Sequence, residues 1–308
     1  MRIVDADQVR AAAPMPQLLD AVEAAYRDVA AGRDRSPIRS RIPMGEGDLL
    51  LMPGLREGGA GASVKLVTVM SGNAARGLPT IHAVVAWLDA ATGEPLAILD
   101  GPTVTAMRTG AASGVSTRLL AREDAHVLAV FGVGAQASWQ VRAVMAAREI
   151  DELRVFAPTV SRRDGFAASM AAELGASVSV VAAESAEEAV RGADVICCAT
   201  TSFEPIFSAG WVAPGTHVSA VGSFQKGMVE LPPQLFAAAG LVAVDSRAAV
   251  LEEAGDLLAA IEIGTIERGW AATRDASAIT VFKSVGLAIQ DLATAELVMA
   301  NLGPDDSG

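Results

Sequence analysis

The sequence of 308 residues contains little lysine, no excess of positive charge and no long hydrophobic run. Its three lysines stand against twenty-one arginines, and the formal net charge is −12. Because phosphate binding requires a basic surface, we expect neither nucleic acid nor an anionic membrane surface as a partner. No apolar run approaches the roughly 18 residues of a membrane-spanning helix.

Cysteine and histidine are also scarce. The two cysteines, Cys197 and Cys198, are adjacent, and neighbours on a strand point to opposite faces, so we expect no structural disulfide. The N-terminal segment carries acidic residues and lacks the hydrophobic stretch of a secretory signal. Both features favour the reducing cytoplasm. His82, His126 and His217 are scattered without metal-ligand spacing, so we expect no metal site.

The first 120 residues group strand patterns together. The segment MPQLLDAVEAAYRDVAAG has the apolar spacing of a helix, with a glycine as its stop signal. The strand-like runs RSRIPMGEGDLLLMPG, GASVKLVTVMSG and PTIHAVVAWLDAATGEPLAILDG follow, each bounded by glycine or proline. Strands without intervening helices predict a mostly antiparallel sheet, with a hairpin turning at AATGEP. The segment TVTAMRTGAASGVSTRLLAR predicts a helix.

From Ala125 the pattern changes to short apolar runs that alternate with helical segments. The runs are HVLAVFGVG, ELRVFAP, ASVSVVAA, ADVICCATT, HVSAVGS and LVAVDS. This alternation predicts βαβ units with a parallel sheet. A last long helix, SVGLAIQDLATAELVMANL, closes the chain. The predicted fold class is therefore α/β.

A glycine-rich turn follows the first of these runs. In VLAVFGVGAQASWQVRAVM an apolar strand leads into Gly132-x-Gly134-x-x-Ala137 and then a helical pattern. Gly132 permits a tight turn, Gly134 lets the backbone approach a pyrophosphate, and Ala137 allows close helix packing. The helix N-terminus supplies free N–H groups for the anion. The segment predicts a dinucleotide site; a glycine-rich turn without a nucleotide is the alternative.

The end of the second parallel strand distinguishes NADP from NAD. An NAD site is expected to carry an acidic residue there, which binds the ribose 2′-hydroxyl. In ELRVFAPTVSRR the strand ends without an acid at Thr159, and Arg162 and Arg163 follow. Both arginines could pair with a 2′-phosphate, so the sequence favours NADP over NAD. The alternative is that they are solvated charges at the start of a helix.

One lysine interrupts an apolar strand. In GASVKLVTVMSG, residues 61–72, the apolar side chains are typical of a strand covered on both faces. Lys65 lies in the middle of this run. A lysine in a dry strand is costly unless its ammonium group meets an anion. The alternative is an edge position from which the ammonium group reaches water.

Several segments, in this order and spacing, resemble the ornithine cyclodeaminase/mu-crystallin family. They are GPTVTAMRTGAAS, FGVGAQA, GADVICCATTS, ELPP, EEAGDLLAAI and ITVFKSVGLAIQDLATA. The resemblance implies a Rossmann NAD(P)-binding domain at 121–287. It also implies an α+β dimerisation and substrate domain, formed by residues 1–120 and completed by 288–308, in a homodimer whose sheets meet.

The resemblance also implies site residues. Lys65 and Arg108 match catalytic residues that hold an amino-acid carboxylate together with Arg41, and Lys65 is expected nearest the imine nitrogen as proton donor. Val285 and Gly286 match substrate-side backbone. The predicted cofactor contacts are Thr80, Thr109, Gly132, Gly134, Ala135, Gln136, Thr159, Arg162, Arg163, Thr200, Val221, Gly222, Ser223 and Ser284.

The sequence departs from the cyclodeaminase pattern after the glycine turn of AVGSFQKGMVELPP. Phe224 stands where cyclodeaminases carry an aspartate that relays protons during ring closure. Lys226 replaces a proline, Met228 replaces a cofactor-contacting lysine, and Glu230 matches a downstream glutamate that we expect to be structural. Without the aspartate, cyclisation loses its proton relay while hydride chemistry remains. Phe224 also makes the substrate pocket apolar, which suits a cyclic imine.

These features predict an NAD(P)H-dependent oxidoreductase that reduces an α-imino acid, either a cyclic ketimine or an imine of an α-keto acid. One alternative is an ornithine or lysine cyclodeaminase with recycled NAD, in which another acid such as Glu230 or Asp291 does the work of the aspartate. Another is a cofactor-binding protein with little turnover. The predicted partners are a small amino or imino acid and a second copy of the chain.

Overall fold

The computed structural model describes residues 1–254, 256, 275 and 277–303. The chain divides into two compact units. The first comprises Met1–Arg108 and Leu287–Gly308, and the second comprises Thr109–Gly286. No helix among the described residues has the length and apolar character needed to cross a membrane.

The first unit contains a six-stranded sheet in the order β1-β6-β5-β4-β3-β2. Strands β2 to β6 pair antiparallel, as predicted, and β5 and β6 form the predicted hairpin. Strand β1 was not predicted; it adds to β6 in parallel. The strands are β1 (Arg2–Val4), β2 (Ser40–Met44), β3 (Gly47–Leu55), β4 (Gly61–Met70), β5 (Ile81–Asp89) and β6 (Pro95–Asp100).

The helices of this unit include both ends of the chain. They are α1 (Ala6–Ala12), α2 (Met15–Ala30), the start of α3 (Gly101–Leu120) and α9 (Ala288–Leu302), with a 3₁₀ helix at Ser71–Arg76. Helices α2 and α3 match the predicted segments. The last helix was predicted from residue 284, but it begins at Ala288. The reason is that Gly286 has φ +85°, a left-handed conformation that a helix cannot continue through.

The prediction that β4 is covered on both faces is wrong for the single chain. Its residues alternate, so that Lys65 and Val67 are buried on one face while Leu66 on the other is 41% exposed. The covered face packs against α9, where Leu50, Met52, Val67 and Ala288 form one apolar cluster. Lys65 therefore points into the interior beneath α9.

The second unit contains a parallel sheet in the order β12-β13-β11-β10-β7-β8-β9. The strands are β7 (Val127–Phe131), β8 (Glu152–Phe156), β9 (Ser179–Ala182), β10 (Val195–Cys198), β11 (His217–Ala220), β12 (Leu241–Val244) and β13 (Thr280–Lys283). The six predicted parallel strands are β7 to β12, which confirms the predicted α/β class. Strand β13 was not predicted, and it lies between β11 and β12.

Helices follow most strands of this sheet. They are α4 (Ala137–Ala147), α5 (Val160–Leu174), α6 (Ala186–Val190), α7 (Pro233–Ala238) and α8 (Arg247–Glu253), with 3₁₀ helices at Gly175–Ser177 and Ala209–Trp211. Because all strands run in one direction, the loops after their carboxyl ends gather at one edge, where α/β sheets bind ligands.

The division between the units falls inside α3, at Arg108 and Thr109. The sequence prediction placed it at the end of that helix, at residue 120. Residues 304–308 of the predicted first domain lie outside the described residues, as does most of the EEAGDLLAAI segment.

Candidate active site

Lys65 of β4 meets a carboxylate of its own chain. Its Nζ lies 2.8 Å from Oδ1 and 2.7 Å from Oδ2 of Asp291 on α9. The Lys65 side chain is 1% exposed and that of Asp291 is 0% exposed. The edge position with a solvated ammonium group is therefore excluded. The anion that the sequence argument required is supplied by the protein before any substrate binds.

Arg108 joins the same carboxylate from α3. Its Nε donates to Asp291 Oδ1 at 3.2 Å, and its Nη1 donates to Gln290 Oε1 at 2.9 Å. The amide nitrogen of Gln290 in turn donates to the hydroxyl of Tyr26 on α2. The structure therefore brings Lys65 and Arg108 together around one acid. Two cations and one anion leave this buried cluster with one positive charge.

The surroundings of Lys65 lower its pKa to a value near neutral pH. Burial lowers the pKa of Lys65 from 10.5 to about 7. The charge and hydrogen bond of Asp291 oppose this shift, while the positive charges of Arg108 and Arg39 add to it. A lysine with a pKa near neutrality can both hold and release a proton at physiological pH, as general acid catalysis requires.

Two further predicted residues of the first unit are not part of this cluster. Arg41 on β2 pairs with Asp48 at 3.1 Å, and its side chain is 37% exposed. Thr80 is exposed directly before β5, and its carbonyl accepts a hydrogen bond from Met70. Arg39, a loop arginine near Arg41 in sequence, was not among the predicted site residues; it directly precedes β2, and its charge acts on Lys65.

The glycine turn of the second unit connects β7 to α4. Gly132 has φ +93°, and a Cβ there would lie 2.6 Å from the carbonyl oxygen of Ala199, so only glycine fits. A Cβ on Gly134 would meet nothing within 4 Å. Gly134 and Ala135 are exposed, and Gln136 directly precedes α4. This open space beside the backbone and helix start fits the pyrophosphate of a dinucleotide.

Glu230 holds the loops that follow β10 and β11. Its Oε1 accepts from the backbone N–H (2.7 Å) and hydroxyl (2.9 Å) of Thr200. Its Oε2 accepts from the N–H groups of Gly222 (2.7 Å) and Ser223 (3.1 Å). Burial raises the pKa of Glu230, against the opposing charge of Lys283 4.0 Å away. Both oxygens of Glu230 are thus occupied with loop structure.

Asp245 holds the loop that follows β13 by accepting hydrogen bonds from it. Its Oδ2 accepts from the Ser284 hydroxyl at 2.7 Å and from the N–H groups of Val285 and Gly286 at 3.0 and 2.7 Å. Asp245 directly follows β12, so the acid and the loop lie after neighbouring strands. Three predicted contact residues, Ser284, Val285 and Gly286, are therefore fixed by one carboxylate.

The two arginines expected at the adenosine ribose differ in their surroundings. Thr159 precedes α5, and Arg162 is exposed in the first turn of that helix. Arg163 donates to the Ala183 carbonyl at 3.0 Å and pairs with Asp164 at 2.8 Å. Of the two, Arg162 presents its guanidinium to solvent at this edge of the sheet.

The loop after β11 carries no acid before Glu230. Val221 is buried, Phe224 is half-buried and Lys226 is exposed. Met228, which replaces a lysine of the cyclodeaminase pattern, is buried, and its carbonyl accepts from the Ser223 hydroxyl at 2.8 Å. In α3, Thr109 is also buried.

The family assignment rests on a match along nearly the whole chain. Residues 2–304 match the model of the ornithine cyclodeaminase/mu-crystallin family. The chain belongs to this family.

Its similar relatives within the family include reductases. A Delta(1)-pyrroline-2-carboxylate reductase of Bacillus cereus is 37% identical over 96% of this chain and 95% of its own length. The Thermococcus litoralis Delta(1)-pyrroline-2-carboxylate reductase, solved with NADH and L-proline, matches with TM-score 0.91 and 34% identity over 98% and 97% of the two chains. An archaeal alanine dehydrogenase dimer with bound NAD matches with TM-score 0.88 and 31% identity over 98% and 95%.

Other reactive side chains of this family member are buried in the second unit. Burial raises the pKa of Cys197 to about 12 and that of Cys198 well above its ordinary value, so neither is a thiolate nucleophile. His217 hydrogen-bonds Thr280 at 2.9 Å and Ser116 at 3.1 Å at the amino end of β11. This end is opposite the edge at which the parallel strands end.

Proposed function

We propose that this chain is an NAD(P)H-dependent reductase of α-imino acids. Its substrate class is cyclic ketimines, such as pyrroline-2-carboxylate and piperideine-2-carboxylate, or imines of α-keto acids. The observation that carries the proposal is the buried cluster of Lys65, Arg108 and Asp291, whose single positive charge complements one carboxylate. The names of the family relatives agree with this class of reaction.

Each group of the cluster has a task in the reaction. Arg108 offers its remaining N–H donors to the planar substrate carboxylate. Arg41 on β2, which pairs with Asp48 outside the cluster, would turn toward the same carboxylate when the substrate binds. Lys65 donates a proton to the imine nitrogen as the imine carbon is reduced. The residues that would hold the cofactor are the glycine turn from Gly132 to Gln136 and the loops fixed by Glu230 and Asp245. When bound, the nicotinamide supplies the hydride.

The hydrogen bonds and ion pairs of Glu230 and Asp291 favour a reductase over a cyclodeaminase. Phe224 replaces the proton-relaying aspartate of the cyclodeaminase pattern. Glu230 cannot substitute for it, because both its oxygens accept hydrogen bonds from loop residues. Asp291 is held by Lys65 and Arg108. No free carboxylate of this set remains for ring closure.

The experiment is a substrate panel with purified protein. Consumption of NADPH or NADH is measured with pyrroline-2-carboxylate, piperideine-2-carboxylate and an α-keto acid with ammonia. A parallel arm supplies ornithine or lysine with NAD and measures ammonia. We expect consumption in the first arm and no ammonia in the second. Proline and ammonia from ornithine would instead identify a cyclodeaminase, and no reaction in either arm would identify a binding protein.

We propose NADP as the preferred cofactor, in a reducing cytoplasm. Support comes from the end of β8, where no acid is present to bind a ribose 2′-hydroxyl and Arg162 is exposed. The free, buried state of both cysteines agrees with a reducing compartment.

We further propose a homodimer formed through the uncovered face of the first sheet. Ile42, Leu66 and Val84 lie on this face and are 46%, 41% and 41% exposed. Exposed apolar groups on one face mark an interaction surface. Light scattering should give the mass of two chains, and Leu66→Glu should give one. A monomeric wild-type protein would contradict the proposal.

A further inference from the structure

Asp291 is the group that joins the two cations of the substrate cluster. It lies in the first turn of α9, and its side chain is completely buried. Lys65 and Arg108 reach it from different elements, β4 and α3. At the α9 N-terminus, the Leu287 N–H donates to Gln290 Oε1 at 2.9 Å and not to Asp291.

Three charged groups act on Lys65. Asp291 is the negative group, while Arg108 and Arg39 are positive. Burial and both arginines disfavour a proton on Lys65, and Asp291 opposes all three. Without the Asp291 carboxylate, every remaining influence favours the neutral amine.

Resting on the proposed reductase function, we propose that Asp291 is a positioning residue: it holds the Lys65 ammonium and the Arg108 guanidinium side by side and keeps on Lys65 the proton that the imine nitrogen receives. In the reaction the imine carbon would accept a hydride with its electron pair, which a bound nicotinamide cofactor would supply as the reductant. The π electrons of the C=N bond move to nitrogen, which takes the proton from Lys65 Nζ. The neutral amine of Lys65 then regains a proton from water.

The protonation of Lys65 can be measured without turnover. The chain has only three lysines, Lys65, Lys226 and Lys283, so isotope labelling at the lysine ε-carbons gives three NMR signals. Lys65→Met assigns one of them. We expect the Lys65 signal of the full-length protein to titrate near neutral pH. In Asp291→Asn its midpoint should fall by at least about one pH unit.

The rate should follow the same shift. kcat/KM reports the ionisation of the free enzyme, and it should decline as pH rises through the Lys65 midpoint. For a one-unit shift, Asp291→Asn should lose about tenfold relative to wild type near pH 8, but only about twofold near pH 6, through protonation alone. The ionisation of the substrate is common to both proteins and cancels in the comparison. A merely structural defect would lower kcat/KM equally at each pH.

Glu296→Gln is the matched control. Glu296 lies on the same helix and pairs with Arg56 at 2.5 Å, with its side chain 17% exposed. This substitution also neutralises an ion-paired carboxylate. It should leave unchanged the midpoint of the Lys65 NMR titration and the midpoint of the kcat/KM profile. If Asp291→Asn does not fold, Asp291→Glu is tested instead. It keeps the charge and displaces it by one methylene, so the Lys65 midpoint should stay while kcat falls at least about tenfold.

The outcomes separate the two proposals. A shifted Lys65 signal in a protein without imine reduction would overturn the proposed function but leave the pairing intact. An unshifted signal in Asp291→Asn would overturn the role of Asp291. So would a shifted signal without a matching displacement of the kcat/KM profile, or an Asp291→Glu protein with wild-type kcat.

Discussion

Gly134→Ala should make the protein more stable and a poorer binder of NADPH and NADH. The backbone of Gly134 is not in the left-handed region, and a Cβ there meets nothing within 4 Å. Alanine is therefore tolerated by the fold. By restricting the unfolded chain it should raise the free energy of unfolding by about 0.4–1 kcal/mol, which corresponds to a Tm about 1–4 °C higher.

The same methyl group should interfere with the cofactor. The second glycine of the turn lets a pyrophosphate approach the backbone, and a Cβ fills that space. We expect Kd for the reduced cofactor to rise at least about tenfold, or roughly 1.4 kcal/mol. Cofactor fluorescence titration gives Kd and thermal denaturation gives Tm. The protein should thus gain stability while it loses affinity for the cofactor.

Two other glycines serve as controls. Gly165 lies in the interior of α5, and a Cβ added there by Gly165→Ala also meets nothing within 4 Å. It should add about 0.5–1 kcal/mol of stability and leave Kd unchanged. Gly132→Ala should lose stability, because its φ is +93° and its Cβ would lie 2.6 Å from a carbonyl oxygen. If Gly134→Ala binds cofactor as tightly as Gly165→Ala, the pyrophosphate does not lie at this turn.

Three further predictions concern the remaining proposed residues. Lys65→Ala and Arg108→Ala should each lower kcat/KM by the equivalent of about 2–5 kcal/mol of transition-state binding, while circular dichroism shows a retained fold. A near-wild-type kcat/KM in either variant would show that the substrate does not bind at this cluster. NADPH should bind more tightly than NADH, and the double substitution Arg162→Ala, Arg163→Ala should narrow this difference in affinity. A wild-type preference for NADH would show that neither arginine binds a 2′-phosphate. Phe224→Asp should lose imine reduction without gaining efficient ammonia release from ornithine, because the surrounding turn also differs; stoichiometric ammonia from the unmodified protein would refute this reasoning.

The elements that could be predicted from sequence are those whose signal is local. Short apolar runs that alternate with helical segments indicated β7 to β12, and the turn at AATGEP indicated the β5–β6 hairpin. Strand β1 has only three residues and pairs with β6 far along the chain, so no local pattern marks it. The position of β13 between β11 and β12 depends on strand order, which periodicity does not encode.

The site shows the same limit. The apolar strand around Lys65 indicated that an anion was needed, but its partner lies 226 residues away on α9. Nothing near Lys65 in sequence identifies Asp291. A signal for Asp245 was present, since this acid directly follows the apolar run LVAV at the carboxyl end of a parallel strand. The alternation in β4 could not be recognised from the sequence, because hydrophobic residues such as Leu66 also occupy its exposed face.

The placement of α9 in the first unit affects the order in which the two units can fold during synthesis. A ribosome completes residues 109–286, one contiguous unit, before it reaches Asp291. Until then, Lys65 and Arg108 have been synthesised without the carboxylate that neutralises one of their charges. Domains usually fold from the N-terminus during synthesis, but here the first unit must wait for residues that are synthesised after the second unit. The charges of the proposed substrate cluster are therefore assembled as a set only after the second unit has been synthesised.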